Sequence, residues 1–412
     1  MTLRRTWFGA GRGRSALTVL TAFTALAGAT VVGAAPAGAA QGTAVAPGVV
    51  YRQFDIRGAR GVTHAHVPSV DLRRGVRLGL LRPRAVAGRA RISALADAQG
   101  AVAGVNGDFF NITETQHPGV RATGAAVGPA IVSGRALKAA VPDGQRFGPG
   151  LPPGTDATEV IGVGADWRAR LDRLRLVGSV RTPAGTLALG GLNQYALPVG
   201  AIGAFTSDWG GASRVRATCG TDTERAASCS PDTYEVTLRH GRVVALAGRP
   251  GSGAVAPGTT VLVGREAGAQ QLRRFFRGEA VSVRYRLAAS GSRIPYRFAL
   301  GGYPVLRDGV PLAGLNDKTS AVRTAVGIAG GGRRVFLLAL DGSPAYRRGL
   351  TIAEVAGALR SLGAVDGFSL DGGGSSTLVA RAPGATRVSV RNHPSGGAER
   401  AVANGIGVFT VG

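Results

Sequence analysis

Two stretches near the end of the chain show the same change of pattern, from apolar run to polar turn. Val335–Gly342 (VFLLALDG) is apolar throughout until an aspartate and a glycine close it. Gly367–Thr377 (GFSLDGGGSST) runs from a short apolar segment into an aspartate, three glycines and two serines. A helix is predicted between them. Thr351 and Glu354 have the spacing of a capping box, and Ile352, Val355, Ala356, Leu359 and Leu362 recur at the interval of one helical face. Gly363 follows, where a helix end favours positive φ. Strand, helix, strand in one unit implies parallel strands whose C-terminal ends share a sheet edge. Asp341 and Asp371 are therefore expected on one rim, where open sheets place ligands.

The first half of the chain shows a similar series. Val76–Leu81 reads as a strand, Ile92–Ala98 as a short helix and Ala101–Asn106 as another strand, before GDFFN (Gly107–Asn111). GAVAGVNGD (Gly100–Asp108) agrees with GAVDGFSLD (Gly363–Asp371) at five of nine positions, including the final aspartate. Asp108 and Asp371 are thus expected to end related strands and face one cleft. Between the halves, roughly 124–289, the alternation is mostly of strand period. Glu235–Leu246 reads as a hairpin with His240 at its turn, Glu279–Leu287 as a strand, and about 266–276 as one helix. The expected class is α+β: a β-rich mixed sheet with βαβ units, helices packed on the sheets and a single large domain.

Residues 1–40 fall outside that domain. Arg4, Arg5, Arg12 and Arg14 precede an apolar stretch from about Ala16 to Val32, and Ala37–Ala40 are small. This is the pattern of a cleaved secretory leader. The apolar run is shorter than the roughly 20 residues a membrane-spanning helix needs. The expectation is a leader at 1–40, one domain over 41–412, a secreted protein of the cell envelope and no transmembrane anchor after cleavage.

Hydrophobic content of 44% allows a sizeable core. The formal net charge is +25, carried almost wholly by arginine, since only Lys138 and Lys318 are lysines. Such a surface suits anionic, phosphate-bearing glycans. Nucleic acid is not expected as a partner, because aromatics are 6% and no recognition motif occurs. Cys219 and Cys229 close a short polar loop and are expected to form a disulfide. His64 and His66 alternate on a strand-like segment and offer two ligands on one face. No HExxH or GxxxxGK[ST] occurs, and GGGSS lacks the second glycine of a nucleophile elbow.

Taken in order, NGDFF (Asn106–Phe110), LNQYALPVGAIGAFTSDWG (Leu192–Gly210), LGGYPVLRDG (Leu300–Gly309), RTAVGI (Arg323–Ile328), LALDG (Leu338–Gly342), LDGGGSST (Leu370–Thr377) and NHPSGGAERAVANGIGVF (Asn392–Phe409) resemble the phosphodiester glycosidase family. The resemblance spans about Val62 to Val411. It implies hydrolysis of the bond between a sugar's anomeric carbon and the phosphate of a sugar-1-phosphodiester, with phosphate-linked envelope glycans as the expected substrate. A carboxylate then serves the oxocarbenium-like centre or activates water, and donors hold the phosphate.

Asp371 is the first candidate carboxylate, with Asp108, Asp341 and Glu399 beside it. Asp341 reads equally as a turn cap, and Glu399 as an ion-pair partner of Arg400. Gly372, Gly373 and Gly374 with Ser375 and Ser376 form either an amide cradle for the phosphate or a tight turn that only glycine tolerates. Arg323 and Arg400 are candidates for bidentate phosphate contacts. Asn106 and Asn392 are candidates for sugar hydroxyls, and Gly301 and Gly302 for close backbone approach. Phe109 and Phe110 stack on a sugar or pack in the core. Asp108, Asp341 and Asp371 could also hold a calcium or magnesium ion. Two other classes fit the same residues: a non-catalytic phosphoglycan-binding or exopolysaccharide-assembly protein, and a metal-dependent phosphodiesterase.

Overall fold

The computed structural model describes residues 42–411, so the expected leader lies outside the described residues. The described residues form one compact unit. Among the described residues there are three α-helices: α1 (Ile92–Gln99), α2 (Ala267–Leu272) and α3 (Ile352–Ser361). Strands dominate, in four sheets of eight, seven, five and five strands. No described helix is long and apolar enough to cross a membrane.

The apolar run before Asp341 becomes the strand Arg334–Leu340, buried from Val335 onwards. It lies in the eight-stranded sheet, next to Thr324–Ala329, which in turn pairs with Ala364–Ser369. Both pairings are antiparallel. Arg334–Leu340 and Ala364–Ser369 are therefore parallel to each other without being neighbours, because a third strand lies between them. The two strands are parallel, as expected, with Thr324–Ala329 inserted between them. The shared rim is kept, since two antiparallel steps restore direction.

Helix α3 joins these two strands. Its capping box is formed: the Thr351 hydroxyl accepts from the Glu354 amide at 3.2 Å, and the Glu354 carboxylate accepts from the Thr351 amide at 2.7 Å. The helix buries Ile352, Val355, Ala356 and Leu359, each worth about 1.5–3 kcal/mol when a larger apolar side chain is removed from water. Leu362 stays half-buried at the cap. Close docking requires glycine on the strand beneath. A Cβ on Gly367 would lie 2.8 Å from Leu359.

The first half repeats the scheme in a five-stranded sheet. Val76–Leu81 and Ala103–Asn106 flank Gly405–Thr410, both antiparallel to it. Helix α1 joins them and buries Ile92, Leu95 and Ala96. The intervening strand comes from the far end of the chain, which sequence periodicity does not foretell.

Helix α2 is shorter than the predicted 266–276. The chain turns after Leu272 and Phe275 leaves the helix to fill the second core, while Phe276 is exposed. The hairpin Thr233–Arg239/Arg242–Ala247 turns at His240, with φ 49°. Cys219 and Cys229 form the expected disulfide.

Candidate active site

Two sheets meet at the strand ends that carry the candidate aspartates. After Ser369 the chain leaves the eight-stranded sheet, passes through Asp371 and the glycine turn, and enters the strand Leu378–Arg381 of the five-stranded sheet. There it pairs with Ala103–Asn106. The Asp371 amide donates to the Gly107 carbonyl at 2.9 Å, and the Asn106 amide donates to the Thr377 carbonyl at 3.1 Å. Asp108 and Asp371 thus leave two different sheets at one junction.

Asp108 is buried, 2% exposed. Its Oδ2 accepts from the Gly128 amide at 2.6 Å, and its own amide donates to Asn404 Oδ1 at 2.9 Å. Gly128 and Gly301 give this carboxylate its space. A Cβ on Gly301 would lie 2.5 Å from Asp108 Oδ2 and 2.6 Å from the Gly128 backbone. Burial raises the Asp108 pKa, and the charges of Lys138 and Arg146 oppose it. Asp371 is half-buried. Burial pushes its carboxyl up to about 6, against the Ser375 hydroxyl and the Arg400 charge, and the negative Asp108 adds to the rise.

Cations gather around this pair. The Arg400 side chain is exposed and donates to Ser375 Oγ at 3.3 Å. Arg323 donates to the carbonyls of Leu350 and Thr319 at 3.1 and 2.7 Å. Arg146 donates to the Pro149 carbonyl at 3.2 Å. Burial lowers the pKa of Arg323 and Arg146, with Tyr303 opposing in the first and Asp108 in the second. The Tyr303 hydroxyl, raised by burial, feels Arg323, Arg146 and Asp371 together. It is also stacked on Phe109, with ring centroids 5.9 Å apart. A cavity of about 350 Å³ opens beside Tyr303, walled by Pro149–Pro152 and Gly314–Lys318.

Other expected site residues have different employment. Asn106 is fully buried; its Nδ2 donates to the Asp371 carbonyl at 2.7 Å, and its Oδ1 accepts from Thr324 and Thr377. Asn392 is buried too, bracing Ser376, Leu378 and Leu340. Neither asparagine has a free face for a sugar; both brace the junction from behind. Phe109 and Phe110 are core residues, 6% and 2% exposed.

The glycine turn is not the amide cradle that its composition suggested. The amides of Gly373, Ser375 and Ser376 donate to the carbonyls of Val322, Gly372 and Gly373, and that of Gly372 serves the Asp371 carboxylate. Ser376 is buried against Thr324. The Arg400 guanidinium covers Gly374, and a Cβ there would have to push it aside. Gly302 allows Phe368 and the Ser369 carbonyl to close on it, within 2.5 Å of an added Cβ.

Glu399 does not pair with Arg400. Its two oxygens accept from the amide and hydroxyl of Ser93 at 2.8 and 2.5 Å, so it caps the start of α1. Asp341 is also committed. Its Oδ1 accepts from the Ser343 amide at 2.8 Å, and its Oδ2 faces His393 Nδ1 at 2.8 Å and His66 Nε2 at 3.3 Å. Burial alone would raise its pKa, but the bonds from His393 and Ser343 hold it well below the usual carboxylate range. Burial drives the His66 imidazole down to about 4, Asp341 opposing, and Tyr51 closes the chain at 2.7 Å from His66 Nδ1.

Asp341 therefore works as an anchor for the loop 392–400. That loop continues past Ser395, which donates to the Gly373 carbonyl, to Arg400 at the site. Asp108, Asp341 and Asp371 do not come together as a set of metal ligands. Among the described residues, the one group of three close enough is His117, Cys219 and Cys229, and its sulfurs form the disulfide. His64 and His66 turn to separate carboxylates, Asp55 and Asp341.

Sequence reasoning passed over Lys138, Arg146, Tyr303 and Gly128. The one available signal was the rarity of lysine. In a chain that uses arginine almost everywhere, one of only two lysines stands at the end of the strand Arg135–Lys138.

Comparison with known proteins agrees with the fold. A hypothetical protein from Synechocystis is similar over 88% of this chain and 62% of its own, with 19% identity and a TM-score of 0.66. This chain thus spans under two thirds of that relative's length. A protein of Burkholderia pseudomallei K96243, designated a candidate exported protein, is similar over 86% of this chain and 75% of its own, with 23% identity and a TM-score of 0.64. The catalytic domain of zebrafish N-acetylglucosamine-1-phosphodiester alpha-N-acetylglucosaminidase, auto-inhibited by its pro-peptide, matches over 90% and 86% at 15% identity, but its TM-score of 0.42 supports no argument about this chain. Among curated proteins no sequence matches. The family model for phosphodiester glycosidases matches residues 232–409, the stretch that contains Arg323, Asp371 and Arg400. The likeness in sequence to phosphodiester glycosidases thus covers residues 232–409.

Proposed function

We propose that the junction of Asp108 and Asp371 hydrolyses the C1–O bond of sugar-1-phosphodiesters, on an exported protein that acts on phosphate-containing envelope glycans. The observation that carries this reading is the half-buried Asp371, beside a buried Asp108 and among three arginines whose hydrogen bonds go to carbonyls and a hydroxyl. Guanidiniums that form no salt bridge among the described residues, beside a carboxyl, suit a substrate that is a phosphate on one side and a developing cation on the other.

In this mechanism Arg400 and Arg323 hold the phosphate, with Arg146 behind them. Asp371 carries a proton near pH 6 and gives it to the bridging oxygen as the C1–O bond breaks. The Asp108 anion stabilises the positive charge that develops at C1. Water then adds to C1 and returns a proton to Asp371. The products are a free sugar and a phosphate monoester, and the acid is regenerated. The cavity beside Tyr303 receives the group on the far side of the phosphate. The disulfide and the similarity in fold to a candidate exported protein support export.

The test is incubation with UDP-N-acetylglucosamine and simple sugar-1-phosphodiesters in oxygen-18 water, with and without a chelator. Label in the sugar supports the reading. Label in the phosphate, lost with chelator, would replace it with a metal-dependent phosphodiesterase. Binding without turnover on any ester would replace it with a phosphoglycan-binding role. Arg400→Ala should raise KM about tenfold or more for a charged ester.

A further inference from the structure

Of the buried cations outside the mechanism, Arg214, Arg216 and Arg265 pair with glutamates, whereas Lys138 bonds to carbonyls. Lys138 ends the strand Arg135–Lys138 and is 1% exposed. Its Nζ donates to the carbonyls of Val127 at 3.2 Å and Ala139 at 2.6 Å, and to that of Gly128. Three carbonyls are acceptors only. A neutral amine has two hydrogens and would turn its lone pair on the third oxygen, whereas an ammonium satisfies all three. The void beside it measures about 10 Å³, at the lower limit for one water. The carbonyls thus do the work of solvent and favour the charged form.

Gly128 ties this cation to the candidate carboxylates. Its carbonyl accepts from Lys138, and its amide donates to Asp108 Oδ2 at 2.6 Å. A single residue therefore binds both charges.

We propose that Lys138 is a positioning residue: a fixed ammonium that keeps Asp108 an anion and thereby leaves the proton of the carboxyl pair on Asp371. This rests on the functional reading above and divides the roles within its site. Lys138 and Arg146 favour the Asp108 anion, while Arg400 alone among the cations works against the proton on Asp371. Asp108 faces Lys138 and Arg146, with the neutral phenol of Tyr195 nearby and the Asp371 carboxyl as its acidic neighbour. Asp371 faces Ser375, Arg400, Tyr303 and Asp108. Burial acts against the charge of both Lys138 and Asp108, and each is held by the other.

The test uses the full chain and reads both carboxyls directly. Carbon-13 NMR of aspartate-labelled protein, assigned with Asp108→Asn and Asp371→Asn, gives the order of titration; the pH dependence of kcat/KM on a sugar-1-phosphodiester gives its consequence. In the wild type, Asp108 should titrate below Asp371. In Lys138→Met the Asp108 midpoint should rise by at least one pH unit, the Asp371 midpoint should fall, and the alkaline limb of kcat/KM should move down with it. Lys138→Arg should restore the wild-type order. Asp371 titrating first in the wild type, or unchanged midpoints in a Lys138→Met protein with native near-UV circular dichroism, would overturn the proposal. If Lys138→Met does not fold, the wild-type order and Lys138→Arg still decide. If no ester is turned over, the NMR midpoints still decide this point while the functional reading fails separately.

Discussion

At the scale of single residues, burial decides which carboxylates are available for chemistry. The raised Asp371 pKa means that its proton is present below about pH 6 and lost above it. Activity that needs this proton should fall as pH rises through about 6, and Asp108→Asn should move that limb to lower pH, since the Asp108 charge is one cause of the rise. A pH–rate series on both proteins checks it. Asp371→Asn should lower kcat by about 10²- to 10⁴-fold with a melting temperature at neutral pH no lower than the wild type's, since the buried charge that it removes opposes folding, measured by stopped assay and calorimetry together. Asn392→Ala should do the reverse in kind. It strands the Leu378 amide and two carbonyls in a buried place, and should cost about 1–3 kcal/mol or more in urea unfolding. Part of this was legible in the sequence. The Asp371 and Asp108 motifs sit at strand ends, and a strand-end aspartate before glycines points to a rim. What Asn106, Asn392 and Glu399 do was not legible, because their partners lie 14 to more than 300 residues away. Local pattern carries no record of such contacts.

At the scale of elements, the two strand–helix–strand units were readable because helix period, capping box and apolar run agree over short distances. The strand between each pair was not readable, since an antiparallel partner can come from anywhere in the chain. Helix caps provide the sharpest test at this scale. Helix α1 has no side-chain cap of its own at Arg91, and Glu399 supplies one from the loop 392–400. Glu399→Ala should therefore destabilise the fold by about 1 kcal/mol and leave the pH profile of turnover in place, as thermal melts and pH–rate curves would show. A shift of a rate limb in that variant would return Glu399 to the chemistry.

At the scale of the whole molecule, the Tyr51–His66–Asp341–His393 chain joins the eight-stranded sheet to the loop that carries Arg400. His66 has its pKa lowered from 6.5 to about 4. The unfolded chain therefore takes up a proton near pH 6.5 that the folded one refuses until about 4. Stability should be full above pH 6.5 and fall between 6.5 and 4, by on the order of 3 kcal/mol. His66→Gln should remove that slope in urea unfolding followed across pH. The depressed Asp341 adds stability that is present above the ordinary carboxylate range and lost only at stronger acid.

The strand Gly405–Thr410 lies between Val76–Leu81 and Ala103–Asn106. During synthesis every candidate residue, Arg400 included, leaves the ribosome before that strand does. A nascent chain can thus hold the full chemical inventory while Asp108 still lacks the sheet that positions it. Pairing of Gly405–Thr410 with both of its neighbours, and not the appearance of any candidate residue, is then the step expected to complete the site. Deletion of residues 405–412 should yield an inactive protein with its chemistry intact in sequence, and the missing strand added as a peptide should restore activity by filling the gap between Val76–Leu81 and Ala103–Asn106.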